Sequence, residues 1–194
     1  MSVTHPTTTA SEVITFTSGG TEANYTAMHW AIEAYKACHD DQAEIPHVIT
    51  SNIEHCATEL PLKKWQQAGQ IQVDFIPVQN GQIQAKSVMQ AIKTNTCLIT
   101  IMLANNETGV LQPLAEIVSL VKSLNEERQA SGNLCPILIH SDTAQAFGKI
   151  PVSIHDDNLM GIDYMTIVGH KFYGPRIGAI YHRQGTVEFS SKDS

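Results

Sequence analysis

The amino-acid sequence predicts an α/β fold, with a mainly parallel sheet flanked by helices. Short apolar runs alternate along the chain with longer segments of helical periodicity. Most of these runs are continuously apolar or β-branched, which is typical of strands that are covered on both faces. Parallel neighbours need crossover connections, and the helical segments between the runs provide them.

Seven apolar runs are predicted to be strands. In chain order they span residues 13–17, 47–51, 72–78, 97–103, 137–140, 164–168 and 178–182. The Asn80-Gly81 pair, which follows the third run, predicts a tight turn at that point.

Helices are predicted between these strands. Over 21–38, apolar residues recur at steps of three and four from Tyr25 to Tyr35, and a similar stripe runs through 114–130. A further helical pattern begins after His55. We expect all these stripes to pack against the sheet, and we assign no chemistry to them.

The 194 residues are predicted to form one domain, because a chain of this length can bury a substantial core. Residues 1–12 are rich in Thr and Ser and are predicted to be a loose segment. Residues 13–183 form the predicted domain, and residues 184–194 a short irregular tail.

The composition excludes several classes of partner. The chain has 12 basic and 19 acidic residues, and its net charge of -7 argues against nucleic-acid or anionic-membrane binding. No apolar run approaches the roughly 18 residues of a membrane span, and the first residues do not resemble a signal peptide. The four cysteines are scattered without a CxxC pair, which predicts reduced thiols in the cytosol and neither a disulfide framework nor a metal site.

Polar residues follow the predicted strands at their carboxyl ends, where ligands gather in open α/β sheets. The first strand leads into Ser18-Gly19-Gly20-Thr21 and then a helix. Two glycines allow a close backbone approach, and the N–H groups that begin the helix favour an anion such as phosphate. A plain helix N-cap at Ser18 or Thr21 is the alternative.

Four other strand ends carry groups with chemical potential, each with a simpler alternative. A lone histidine is often structural, an asparagine cluster is often a turn, an acid is often an N-cap, and a lysine is often solvated. The groups are Glu54-His55, Asn105-Asn106-Glu107-Thr108-Gly109, Asp142 and His170-Lys171.

No arrangement of surface loops requires this set of groups at five strand ends. One ligand fits all of them. An aromatic aldehyde with a phosphate and a ring nitrogen uses a lysine to form a Schiff base. It also uses an acid to keep the ring nitrogen protonated, so that the ring accepts electrons. The sequence therefore predicts pyridoxal 5'-phosphate as cofactor.

Five separated motifs also resemble the class V aminotransferases, in the branch of cysteine desulfurases and selenocysteine lyases. They are TSGGTEAN, IEH, ANNETG, DTAQAFGK and GHKFYGPRIGA, in the family's order from Val13 to Arg183. The resemblance implies the large, cofactor-binding domain of a fold-type I enzyme, with the small C-terminal domain absent.

The resemblance implies two catalytic residues. Lys171 would be the Schiff-base lysine and the base that removes the substrate Cα proton, and His55 would stack on the cofactor ring and assist proton transfer. The implied cofactor-binding residues are Gly20, Thr21, His55, Asn106, Asp142, Gln145, His170 and Lys171.

Each binding residue has an implied partner on the cofactor. Asp142 would pair with the pyridine nitrogen, and Asn106 and Gln145 would contact the ring hydroxyl. The phosphate would be held by Gly20, Thr21 and His170. Val168 stands where the family's cysteine desulfurases usually carry a serine, so one hydroxyl contact to the phosphate is expected to be absent.

By resemblance, the reaction is decomposition of the small-molecule substrate L-selenocysteine to L-alanine, with release of selenium to an acceptor. Cysteine desulfuration, with L-cysteine as the substrate, is one alternative. A non-catalytic truncated form that modulates the full-length enzyme is another. A homodimer is expected in the full-length form.

The family's nucleophilic cysteine and substrate-binding arginine are expected downstream of Lys171. No cysteine follows Cys135 in this sequence, so we expect the chain as written to be catalytically incomplete. Cys56, directly after His55, is predicted to be a buried small hydrophobe at a helix start.

Overall fold

The computed structural model describes residues 13–39, 44–132, 135–155 and 159–183. The predicted loose segment 1–12 and the predicted tail 184–194 lie outside these residues. The elements are β1 Val13–Thr17, α1 Gly20–Ala37, β2 His47–Ser51, α2 Cys56–Gln67, β3 Gln72–Ile76, α3 Ala85–Ala91, β4 Thr96–Thr100, α4 Leu114–Ala130, β5 Leu138–Asp142, β6 Tyr164–Val168, the 3₁₀ helix Gly169–Phe172 and β7 Gly178–His182.

These strands form one sheet in the order β1-β7-β6-β5-β4-β2-β3. All pairings are parallel except those of β7, which runs antiparallel to both β1 and β6. The predicted α/β class with a mainly parallel sheet is confirmed. Because only β7 is reversed, β1, β2, β4, β5 and β6 end at the same edge, which we call the carboxyl edge.

Helices cover both faces of the sheet. On one face α1 and α2 pack on alternate strand residues such as Val48, Leu98 and Ile180. On the other face α3 and α4 pack on the intervening residues, such as Ile49 and Ile99. The continuous apolar runs of the central strands follow from this arrangement, since every side chain enters one of two cores.

The edge strand β1 departs from the prediction of strands covered on both faces. Its residues alternate between partly buried and exposed, and Phe16 is 73% exposed. The register pairs Ile14 with Tyr181 and Phe16 with Ala179, so these side chains share the face of α3 and α4. Neither helix is among the elements that pack on β1.

Strand β4 ends earlier than its apolar run predicts. The run continues to Leu103, but the ladder ends at Thr100. The N–H of Met102 donates to the Glu54 carboxylate, and the N–H of Leu103 donates to the carbonyl of Asp142. The backbone is therefore satisfied without strand geometry. Similarly, β3 ends at Ile76, before the predicted residue 78.

The predicted turn at Asn80-Gly81 is confirmed. Both residues have positive φ, 53° and 79°, and Gln79 and Gln82 exchange backbone hydrogen bonds of 2.8 and 3.0 Å. Within the described parts of the chain, no helix combines the length and apolarity that crossing a membrane requires.

Candidate functional site

A cavity of about 310 Å³ opens at the carboxyl edge. Every residue predicted to catalyse or to bind the cofactor lines it, although the roles of these residues stay predictions. The predicted residues are Gly20, Thr21, His55, Asn106, Asp142, Gln145, His170 and Lys171; the other lining residues are Asn24, Ala57, Met102, Ala104, Ala144 and Val168.

The first turn of α1 forms one wall. A Cβ on Gly20 would lie 2.6 Å from the Cγ2 atom of Val168, so glycine is required for this close approach. The residue before the helix is Gly19, and no side chain caps the helix there. The alternative of an N-cap at Ser18 or Thr21 is therefore wrong. The helix begins with backbone N–H groups that lack intrahelical acceptors.

Ser18 instead fixes the loop through a different contact. Its backbone N–H and its hydroxyl both donate to the Glu22 carboxylate, at 2.7 and 2.6 Å. These hydrogen bonds lower the pKa of Glu22, with the Ser18 hydroxyl as the largest cause. The cavity-facing residues Gly20 and Thr21 thus remain available to a ligand.

Asp142 lies at the carboxyl end of β5 and is buried. Its Oδ2 accepts a hydrogen bond of 2.7 Å from the Asn24 amide, and its Oδ1 accepts one of 3.0 Å from the N–H of Ala144. Charge-assisted bonds of this kind fix the orientation of a carboxylate. The bond to Ala144 resembles an N-cap contact, so the simpler structural role coexists with placement in the cavity.

Asn24 is a site residue that the sequence reasoning missed. It is 1% exposed, and its Oδ1 has no hydrogen-bond partner among the described residues. A buried acceptor without a partner is costly in a folded chain. The available signal was spacing, because Asn24 is four residues after Gly20 and shares its face of α1.

His55 caps α2 and also lines the cavity. Its Nδ1 accepts a hydrogen bond of 3.1 Å from the N–H of Ala57. In the neutral ring the proton then lies on Nε2. The structural role of a lone histidine is therefore present, and it holds the ring in one orientation at the cavity wall.

The expectation that Cys56 is buried is wrong. Cys56 is exposed, and its Sγ lies 3.8 Å from Nδ1 of His55. It is the first residue of α2, where the helix begins at the open edge of the sheet. The apolar side of that helix is formed instead by Ala57, Thr58 and Leu62.

Glu54, which the sequence analysis named beside His55 at a strand end without giving it a role, supports the site. Its buried carboxyl accepts hydrogen bonds from the Ser51 hydroxyl at 2.5 Å and from the N–H of Met102 at 3.1 Å. Burial raises the pKa of Glu54 to about 8, although these hydrogen bonds oppose the rise. Because Met102 lines the cavity, Glu54 supports the cavity wall from behind.

Two amides reach the cavity from different loops. Asn105 organises the first loop, because its Oδ1 accepts hydrogen bonds from the N–H groups of Glu107 and Thr108 at 3.1 and 2.9 Å. Asn106 is thereby left exposed at the cavity. Gln145 also lines the cavity, while its Oε1 accepts a hydrogen bond of 2.6 Å from Lys149.

Lys171 enters the cavity from the 3₁₀ helix that follows β6. The chain turns back at once, because the N–H of Gly174 donates to the carbonyl of Gly169 and Tyr173 adopts a left-handed conformation with φ 67°. A Cβ on Gly169 would lie 2.6 Å from the carbonyl oxygen of Pro175. Lys171 is solvated, yet it is positioned by a tight turn.

Comparison with known proteins assigns the family. The sequence matches the family described as Aminotransferase class-V over residues 5–191. The chain belongs to the class-V aminotransferases. The sequence-based resemblance to this family is thus confirmed.

Named relatives of this class-V chain fall in two groups. Selenocysteine lyase from Xenopus tropicalis is 44% identical over 180 residues, which are 89% of this chain and 41% of the lyase. Cysteine desulfurase from Homo sapiens is 38% identical over 173 residues, which are 88% of this chain and 33% of the desulfurase. The chain thus spans well under half the length of these relatives.

A solved structure shares the class-V fold seen here. The structure of SspA in complex with cysteine matches with a TM-score of 0.70 and 35% identity, covering 87% of this chain and 43% of that one. The seven-stranded sheet and its helices therefore correspond to less than half of that structure.

Proposed function

We propose that the chain binds pyridoxal 5'-phosphate and belongs to an enzyme that decomposes L-selenocysteine to L-alanine and releases selenium to an acceptor. The observation that carries the proposal is the meeting of all the predicted residues around one cavity. The 44% identity to a selenocysteine lyase supports the choice of substrate.

The residues of the cavity fit this cofactor. When bound, pyridoxal phosphate supplies an aldehyde that captures amines and a ring that accepts electrons. The first turn of α1 offers N–H donors and a positive dipole end to a phosphate, and Gly20 leaves room for close approach. Asn24, whose buried Oδ1 has no partner among the described residues, also lines this cavity.

Each remaining group of the chain then has one task. Asp142, fixed by Asn24 and Ala144, holds a proton on a ring nitrogen. The amine of Lys171 would hold the cofactor and would take the Cα proton of the amino acid. His55, oriented by its bond to Ala57, would lie beside the cofactor and supply a proton near the selenium atom.

Covalent trapping tests the cofactor assignment. The purified chain is incubated with pyridoxal phosphate, reduced with borohydride and digested, and the modified lysine is identified by mass spectrometry. We expect modification at Lys171, and loss of the visible absorbance band in Lys171→Ala. Lys149→Ala is the matched control, because this lysine contacts Gln145 at the cavity. A band that persists in Lys171→Ala contradicts the assignment.

A second candidate, cysteine desulfuration, is favoured by the 38% identity to a cysteine desulfurase and by the likeness to SspA, which was solved with cysteine. Alanine formation from each amino acid by the full-length enzyme distinguishes the two. We expect a preference for L-selenocysteine of at least about 10-fold in kcat/KM. Equal rates, or a preference for L-cysteine, support desulfuration.

We also propose a cytosolic location and, for the full-length form, a homodimer. The first rests on the four free thiols. The second draws support from exposed apolar side chains near the cavity, of which Leu60 is 60% and Tyr25 43% exposed. Fractionation of cells and sedimentation of the full-length protein test these two statements.

A further inference from the structure

Three thiols gather at the amino edge of the sheet, opposite the cavity. Cys38 is the C-cap of α1, Cys97 lies on β4, and Cys135 lies shortly before β5. Sequence alone shows these cysteines as scattered, since Cys38 and Cys135 are roughly 100 residues apart. The fold brings them together because α1 runs back along the sheet and ends where β4 and β5 begin.

The end of α1 contacts Cys135 directly. Nδ1 of His39 lies 3.8 Å from Sγ of Cys135 and 2.8 Å from the carbonyl oxygen of Tyr35. The rings of His39 and Tyr35 are 4.2 Å apart, which fixes the imidazole beside the thiol. Cys38 precedes His39 and is exposed, whereas Cys135 is partly buried.

Cys135 interacts electrostatically with Cys38 in addition to its contact with His39. Burial raises the pKa of Cys135 to about 12, and a side-chain hydrogen bond with Cys38 adds to the rise. Arg128 opposes this effect, and its guanidinium donates hydrogen bonds of 3.0 and 3.2 Å to the Cys135 carbonyl oxygen. Cys135 is therefore held as a protonated thiol beside the residues that end α1.

The third thiol differs from this pair. Cys97 is 2% exposed and donates a hydrogen bond of 3.4 Å to the carbonyl of His47. Burial raises the pKa of Cys97 to about 12, so this thiol is shielded from reagents and protonated. No three His, Cys, Asp or Glu side chains in the described ranges are placed to hold a metal ion. Thiol oxidation is the chemistry that the remaining pair favours.

We propose that Cys38 and Cys135 form a reversible disulfide, a modification site on the edge of the sheet remote from the cavity. The oxidant is hydrogen peroxide or a peroxide of the same class. The Cys38 thiolate attacks one peroxide oxygen to give a sulfenic acid, and the hydroxide that leaves takes a proton to become water. Cys135 then loses its proton and attacks the Cys38 sulfur.

The second step forms the S–S bond and releases the sulfenic oxygen as water. In total, the two thiols lose two protons and two electrons, and one peroxide becomes two waters. A dithiol reductant reverses the reaction through a mixed disulfide. Cys38 reacts first because it is the exposed sulfur, and Cys135 is the resolving thiol.

The bond would join α1 and β5 a second time. At the cavity end, Asn24 on α1 donates to Asp142 on β5 at 2.7 Å. At the opposite end the disulfide would link the residue after α1 to a residue just before β5. Helix α1 would then be attached at both ends to the segment around β5, which carries Asp142.

Thiol counting, peptide mapping and thermal unfolding test the proposal on the purified chain. We expect peroxide to reduce the number of free thiols from four to two, and non-reducing digestion to recover a Cys38–Cys135 peptide pair. The melting temperature should rise by roughly 5–10 °C, because the bond closes a long loop. Dithiothreitol should reverse both changes.

Variants separate this pairing from others. Cys38→Ser and Cys135→Ser should each lose the temperature rise. Cys56→Ser, which removes another exposed cysteine, should keep both the rise and the peptide pair. The proposal is overturned by a Cys97–Cys135 pair in the unmodified sequence, by disulfide-linked dimers alone, or by a temperature rise that persists in Cys38→Ser.

Discussion

The two edges of the sheet differ in the surroundings of their polar side chains. At the amino edge, buried groups are paired with other protein groups: His47 contacts Asp74 at 3.1 Å and Thr96 at 2.8 Å, and Asp163 pairs with Arg183. At the carboxyl edge, Asp142 and His55 have partners in the chain and also line a cavity, and Oδ1 of Asn24 has no partner among the described residues. The difference teaches that polar groups enclosed by the chain hold the fold, whereas those that also border a cavity mark the ligand site.

Removal of Asp163 is the first test of this difference between the two edges. Its Oδ2 accepts the N–H of Ile139 at 2.8 Å, and its Oδ1 pairs with Arg183. We expect Asp163→Ala to lower the free energy of unfolding by about 2–3 kcal/mol, because a buried N–H loses its acceptor. Urea denaturation measures this loss.

The matched control for Asp163 is Asp74→Ala. Asp74 pairs with Lys93 at 2.9 Å, and both side chains are about two fifths exposed (39% and 43%). Its buried partner His47 keeps its contact with Thr96, so we expect a loss of about 1 kcal/mol. Pyridoxal phosphate affinity should be unchanged in both folded variants. A selective loss of affinity in Asp163→Ala would contradict the division between the two edges.

The converse experiment removes Asp142 at the carboxyl edge. We expect Asp142→Ala to weaken pyridoxal phosphate binding about 100-fold, since a charge-assisted bond to the cofactor is lost. The cost in unfolding free energy should be smaller than that of Asp163→Ala, because water can reach the freed Asn24 amide through the cavity. Fluorescence titration and urea denaturation give the two quantities.

Glu107→Ala serves as the control for net charge at the same edge, because Glu107 is exposed. Its affinity should remain within about twofold of the unmodified chain. Equal weakening in both variants would show a general loss of negative charge and not a specific contact.

Glu54 allows a further test of the difference between the two edges, because it is a buried acid at the carboxyl edge. Its pKa is raised to about 8 in the folded chain, so the folded state binds more protons than the unfolded state above the ordinary carboxyl pKa. Its contribution to stability is full below that ordinary value and is lost as pH rises toward 8. Between pH 6.5 and 8 we expect a loss of about 2 kcal/mol.

Other buried groups do not obscure this window. Burial lowers the pKa of His140 to about 3 and raises the pKa of Asp163 to about 6, so their effects fall below pH 6.5. Glu54→Gln should flatten the decline, because glutamine keeps an acceptor for the N–H of Met102. An equally steep decline in Glu54→Gln would show that another group causes the pH dependence. Urea denaturation at several pH values measures the free energy of unfolding.

The smallest expected effect concerns Val168, which lies against the Gly20 backbone at the cavity. Val168→Ser places a hydroxyl where the family's desulfurases usually have one. We expect about threefold tighter binding of pyridoxal phosphate, together with a loss of about 1–2 kcal/mol in unfolding free energy from the buried methyl groups. Val168→Thr, which keeps one methyl, should retain more stability. Weaker binding in the serine variant would contradict this view of the phosphate contacts.

Most of the fold could be predicted because its signals are local. β2 and β6 were predicted with their observed bounds, since each is a continuous apolar run ended by polar residues. The end of β4 could not be predicted, because the run continues while its backbone finds other acceptors. The short helix α3 has no side-chain cap, and so offered little signal.

The candidate site was predictable to the extent that strand direction fixes it. Once the strands are parallel, their polar ends must meet at one edge. Asn24 was missed, and Glu54 was named without a role, because their partners, Asp142 and Met102, are distant in sequence. The thiol pair was missed for the same reason. Spacing along a chain reports local faces and not which distant groups become neighbours.

The position of β7 has a consequence for how the chain is built. Val13 pairs with His182, so the first of the described strands to be synthesised borders only the last of them to leave the ribosome. A nascent chain that has passed β6 but not β7 has a five-stranded sheet and no neighbour for β1. Such widely separated pairing slows folding. The β1 edge of the sheet therefore forms late. Until then, the loop between β1 and α1 is held only by α1, because β1 has no partner strand.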